Sequence, residues 1–141
     1  MSKFSKFMKQ NKKVRENAKV AVSELLVDEK GNPLEWEIRP LTSAEVGRIN
    51  NECTTEKTLP NGTVRRSVNG NKLTEKLICE SVVVPDLLDA DLQDSYGVKT
   101  PEDLIHQLLD DPGEYNALAI FIQQFNHLGK TLDEKVEEAK N

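Results

Sequence analysis

The last third of the chain, residues 85–141, opens and closes helices repeatedly, and that punctuation constrains the fold more than any other feature. Thr100 followed by Pro101 places an N-cap before a proline at the first helical position, where a missing N–H costs nothing. Asp111-Pro112-Gly113-Glu114 repeats the device and opens the longest expected helix. Asp89 can cap a short turn through Gln93 or Asp94, and Gly97 suits a left-handed exit. Apolar residues keep helical spacing inside each piece: Leu104, Ile105, Leu108 and Leu109 in one, Leu118, Phe121, Ile122 and Phe125 in the next. Gly129 closes that stripe, and Thr131 with Glu134 caps a last helix carrying Val136 and Ala139. Short amphipathic helices of this kind must bury their stripes against one another or against a sheet.

The sheet comes from upstream. Leu34, Trp36 and Ile38 alternate with Glu35, Glu37 and Arg39, the period of a half-buried strand. The run 20–27 is a second strand, and Asp28-Glu29-Lys30-Gly31-Asn32-Pro33 supplies the turn between them. Trp36 is the expected core anchor of this hairpin. Thr42 and Glu45 then form a T-x-x-E capping box, with Val46, Ile49 and Cys53 along one side of the helix that follows. Residues 55–71 contain two Asn-Gly turn signals and few apolar side chains, which fits a small hairpin or a flexible loop; the loop is the expectation. From Lys72 to Val84 the helical spacing of Leu73, Leu77, Ile78 and Val82 predicts a helix that Pro85 ends.

The fold class is therefore α+β and predominantly helical: an N-terminal β-hairpin packed on a C-terminal bundle of short capped helices. At 141 residues one domain suffices, and such a domain buries about 70% of its unfolded surface. Residues 1–17 form a basic arm and 18–141 the single α+β domain. The arm is expected to be a frayed helix with Phe4, Phe7 and Met8 on one face.

Net charge −5 conceals a polarity along the chain. Residues 1–20 hold seven bases against Glu16 alone, whereas residues 80–141 hold fourteen acids against four lysines. Basic front and acidic end permit head-to-tail self-association or a nucleic-acid contact through the arm. The acidic body argues against extended phosphate binding, because that affinity scales with the phosphates neutralised. Two cysteines, Cys53 and Cys79, at helical apolar positions read as buried thiols, and the front end lacks the apolar run of a secretory signal. No stretch approaches a membrane span, so a cytoplasmic protein with no membrane partner is expected.

Chemistry finds no foothold. His106 and His127, the two histidines, and the two cysteines lie far from metal-site spacing. A calcium loop starting at Asp89 would need Gly where Asp94 stands and Glu where Thr100 stands. Phosphate-binding, dinucleotide and nucleophile-elbow glycine motifs do not occur. The expectation is a non-enzyme with no cofactor and no metal, which works by holding another protein.

Several runs then carry a family resemblance: W-E-I-R-P-L-T at 36–42, N-E-C-T at 51–54, V-V-V-P-D-L at 82–87, L-Q-D-S-Y-G-V at 92–98, P-G-E-Y at 112–115 and the terminal E-E-A-K-N. In combination the chain resembles the XkdN-like tail assembly chaperones of PBSX-type prophages. The resemblance implies a protein of the bacterial host cytoplasm, absent from the mature virion, that binds the tape-measure protein and keeps it soluble while the tail tube polymerises. It also implies a longer form made by a −1 frameshift, whose extension recruits the major tail tube protein. Ala139-Lys140-Asn141 can be encoded GCA-AAA-AAC, which contains the slippery heptamer A-AAA-AAC. Amphipathic helices of such a client need apolar strips to grip; the candidates are Phe4, Phe7, Met8, Leu104, Leu108, Phe121 and Phe125. A structural tail component and a nucleic-acid-binding regulator using the arm are the alternatives.

Overall fold

A computed structural model describes residues 2–129. Within them the order is β1 (Ala18–Ala21), β2 (Glu35–Ile38), α1 (Ser43–Glu52), β3 (Thr54–Thr58), β4 (Val64–Val68), α2 (Gly70–Ser81), β5 (Val82–Val84), α3 (Ala90–Ser95), α4 (Pro101–Leu108) and α5 (Pro112–Phe125). The architecture is α+β, as the patterning implies. The helix expected after Thr131 lies outside the described residues.

Caps place the helix starts. Thr42 accepts from Glu45 N while Glu45 accepts from Thr42 N, a complete capping box on α1. Thr100 and Asp111 cap α4 and α5 one residue before their prolines, and Asp89 caps α3. Gly97 has φ +68° and ends α3 with paired bonds, Val98 N to Gln93 O and Gly97 N to Asp94 O.

β1 and β2 pair antiparallel with Val20 opposite Trp36, the expected hairpin, although its strands are shorter than the runs 20–27 and 34–41. Trp36 and Ile38 are buried, and Leu34, one residue before the strand, is exposed. The helix expected to run to Val84 stops at Ser81. Val82–Val84 instead forms β5 along the other side of β2, giving the sheet order β1-β2-β5. Three β-branched residues in a row favour a strand, and β2 offers them a partner that local spacing cannot show. Ser81 fixes the junction: its Oγ donates to Arg39 O at 2.9 Å, and Arg39 N donates to Ser81 O at 2.9 Å.

Residues 54–68 overturn the loop expectation. β3 and β4 form a five-residue antiparallel ladder closed at Asn61-Gly62, with Gly62 at φ +84°. Almost every side chain on it is exposed, which explains the thin apolar signal.

The main core joins Trp36 and Ile38 of β2, Ile78 of α2, Leu104 of α4, and Leu118 and Ile122 of α5. A second cluster, Leu41, Ile49, Cys53 and Leu77, lies between α1 and α2, with Val46, Leu73 and Leu128 packed on it. Truncating a fully buried Ile or Leu in either cluster costs about 2–5 kcal/mol.

Candidate partner-binding groove

Beside the second cluster the surface opens into a groove of about 980 Å³. Its floor is Leu41, Val46, Leu73, Leu77 and Leu128; its rim includes Lys12, Arg15, Asn50 and Gln123. Four separate stretches of sequence build it, and each arrives for a local reason. The capping box starts α1 so that Val46 faces inward. Asn69 caps α2 through Lys72 N, presenting Leu73 and Leu77 one turn apart. Asn126 accepts from Leu41 N at 2.7 Å and donates to Ile122 O at 2.9 Å, which clamps the strand exit to the end of α5. The α5 exit is a Schellman turn: His127 takes φ 55°, His127 N bonds Gln124 O, and Leu128 N bonds Gln123 O. That turn drives Leu128 onto the floor. Across the opening, Arg15 donates to Leu41 O, bringing the basic N-terminal segment to the rim.

No carboxylate lines this groove among the described residues, in a chain that carries a net charge of −5. Lys12 and Arg15 therefore give it a local positive rim over an apolar floor.

The seven side chains named from sequence fall in three places. Phe4, Phe7 and Met8 are exposed by 62%, 83% and 40%, and Phe4 and Phe7 meet edge to face at 6.2 Å. Their segment is not the frayed helix of the sequence reading; it makes two single 3₁₀ turns, Ser5–Phe7 and Lys9–Asn11. Leu104 and Leu108 belong to the main core at 0% and 5% exposure, so neither is available to a client. Phe121 and Phe125 stack at 5.7 Å and are half-buried against that core; Phe121 also lines a small hollow with Val20 and Val22. The groove itself has no local signature in the sequence. Val46, Leu73 and Leu77 were legible as helix-face residues, but nothing local says that two helices, a strand exit and a helix end share one opening.

Reactive groups are quiet. Burial, reinforced by Glu102 and Glu75, pushes the Cys79 thiol up to about 12. His106 hydrogen-bonds Glu75 at 2.8 Å and stacks on Tyr115 at 4.7 Å. Burial and nearby Glu75 raise the Tyr115 phenol. Among the described residues no three His, Cys, Asp or Glu side chains are grouped to hold a metal, and no helix is long and apolar enough to cross a membrane.

Known proteins resemble this chain in sequence and in fold. The chain resembles the phage-like element PBSX protein XkdN of Bacillus subtilis (strain 168), with 27% identity over 126 residues, spanning 89% of this chain and 85% of the relative. YqbN of the same strain is 23% identical over the same shares. The crystal structure of YqbN superposes with a TM-score of 0.74 at 18% identity, covering 91% of this chain and 98% of that one, a match in fold. A family model described as phage XkdN-like tail assembly chaperone protein matches residues 4–140. The chain belongs to the XkdN-like family of phage tail assembly chaperones.

Proposed function

We propose that this chaperone binds the tape-measure protein of its phage or prophage and keeps it soluble until the tail tube polymerises around it. It does so by reversible apolar contact, without catalysis, in the host cytoplasm, and it leaves before the virion is complete. The observation that carries this reading is the unburied Phe4, Phe7 and Met8 strip on a basic segment that leads to the groove rim. Large apolar groups left in water mark surfaces meant to be covered. A long helical client with apolar stripes has the complementary chemistry, and several copies along it would compensate for modest affinity at each contact.

A −1 slip on codons for Ala139-Lys140-Asn141 would supply a minor longer form, whose extension recruits the major tail tube protein. Codons that break the adenine run would remove that part of the reading.

Co-expression with the neighbouring tape-measure gene provides the test. Soluble tape-measure protein should rise and co-purify with this chain, while purified tails should lack it by mass spectrometry. No rise and no co-purification, or stoichiometric retention in finished tails, would overturn the reading.

A further inference from the structure

The ribbon of β3 and β4 is separate from the three-stranded sheet, and its side chains are almost all exposed. An isolated two-stranded ribbon is only marginally stable in water, and further strands are what make such a sheet secure. Its pairing shows which backbone groups are open to one. Leu59 N bonds Thr63 O at one end of the ladder, and Asn69 N bonds Cys53 O at the other. Bonded and non-bonded pairs alternate between those ends, so Thr55 with Ser67 and Lys57 with Arg65 exchange the inner bonds. The N–H and C=O groups of Val64, Arg66 and Val68 therefore point away from β3, where no described strand pairs with them.

The two faces of the ribbon differ in charge. On one, Val64 and Val68 flank Arg66, whose Nε lies 2.8 Å from Glu56. On the other, Lys57 stands directly opposite Arg65, and like charges in that position destabilise a strand pair. Neither has an ion-pair partner among the described residues. Residues 54–68 thus carry Lys57, Arg65 and Arg66 against Glu56 alone, in a chain whose net charge is −5.

We propose that the free edge of β4 accepts an acidic, extended segment of a partner protein as a third, antiparallel strand. Its backbone pairs with Val64, Arg66 and Val68, the mode in which a peptide extends an existing sheet. A carboxylate opposite Arg65 relieves the Lys57–Arg65 repulsion, and apolar side chains cover Val64 and Val68. From its own amino end the segment reads apolar, polar, polar, acidic, apolar. Charges on an edge ordinarily repel stray strands; here they admit a strand of opposite sign and reject others. A nucleic acid suits the ribbon less well, because three cations neutralise few phosphates and the two valines gain nothing from them. The surface is distinct from Phe4, Phe7 and Met8, so it stands or falls separately from the tape-measure reading.

The probe is a fluorescein-labelled peptide, Gly-Ser-Val-Thr-Thr-Glu-Val-Ser-Gly, titrated to about 1 mM against the full chain. Anisotropy reads the binding, and amide shifts of the nitrogen-15-labelled protein locate it. Saturable binding is expected, with shifts confined to residues 54–68. Exchanging the peptide's glutamate for lysine should weaken binding about tenfold. N-methylating its central threonine, which faces Arg66 and donates to the Arg66 carbonyl, should weaken it about fivefold. Arg65→Glu should reverse the preference, taking the lysine peptide over the glutamate one. That variant should melt no lower than the parent, since its new carboxylate faces Lys57. No saturable binding, shifts outside the ribbon, or indifference to N-methylation would overturn the proposal. Tighter binding of a single-stranded thymidine oligonucleotide than of the peptide would assign the ribbon to nucleic acid and overturn it as well.

Discussion

Ser23 donates a hydrogen bond to Glu114 Oε1 at 2.7 Å across 91 positions of sequence. The second oxygen accepts from Glu24 N at 2.8 Å, so one carboxylate stops the exit of β1 against the first turn of α5. Ser23 is buried, and its Oγ accepts in turn from Leu25 N at 3.0 Å. The P-G-E-Y run thus owes its glutamate to a tertiary bond, while Asp111 caps the helix through Glu114 N. Glu114→Ala should destabilise the protein by about 2–3 kcal/mol, because charge-assisted bonds are lost and the buried Ser23 hydroxyl is left without an acceptor. Glu114→Gln, which keeps one acceptor, should cost about 1 kcal/mol. Urea midpoints at constant slope measure both.

Acid should expose the Arg39–Glu45 pair. Arg39 Nη1 and Nη2 donate to the two Glu45 oxygens at 3.0 and 2.5 Å, and Nη2 also reaches Glu80 at 3.2 Å. The Arg39 guanidinium holds the Glu45 carboxyl down to about 2 from its ordinary 4.5, with burial opposing and Thr42 N assisting. The folded value lies below the unfolded one, so the stabilisation is complete above pH about 4.5 and disappears as pH falls through 2. Both side chains are partly exposed, and screening leaves about 1–2 kcal/mol at neutral pH. Glu45→Gln should show that deficit at pH 7 and converge on the parent near pH 2 in thermal melts.

How much of this could be read from the chain depends on where each signal resides. Thr42, Asp89, Thr100, Asp111 and Gly97 announce helix ends because capping is settled within four residues. Trp36 and Ile38 announce a buried strand face by alternation. β5 was invisible because Val82 also fits a helical stripe, and its ladder partner lies over forty residues away. β3 and β4 carry the Asn-Gly turn but expose both faces, so no hydrophobic period marks them. Leu104 and Phe121 look alike as helix-stripe residues; only packing makes one core and leaves the other half-covered. The groove needs four distant segments at once, beyond any local pattern.

Cys79 should resist alkylation. With its thiol pushed up to about 12 by burial and neighbouring carboxylates, almost no thiolate exists at pH 8. Iodoacetamide should modify native Cys79 on the order of a hundredfold more slowly than the urea-unfolded chain, followed by peptide mass spectrometry. Comparable rates in the two states would contradict the packing described for α2.

Gly47 lies inside α1, and a Cβ added there meets nothing within 4 Å. Gly47→Ala should stabilise the fold by about 0.5–1 kcal/mol, since alanine restricts the unfolded chain and favours the helix. A calorimetric melt should show a higher midpoint.

Replacing Phe4, Phe7 and Met8 together by serine should leave stability within about 0.5 kcal/mol, because none is buried. The decisive measurement dilutes denatured tape-measure protein into buffer with increasing purified chain and quantifies what stays in the supernatant. Soluble tape-measure protein should climb to saturation with the parent chain, and the triple serine variant should retain less than half of that effect. Equal precipitation with and without the chain, or a variant as active as the parent, would contradict a chaperone that holds its client through this apolar segment.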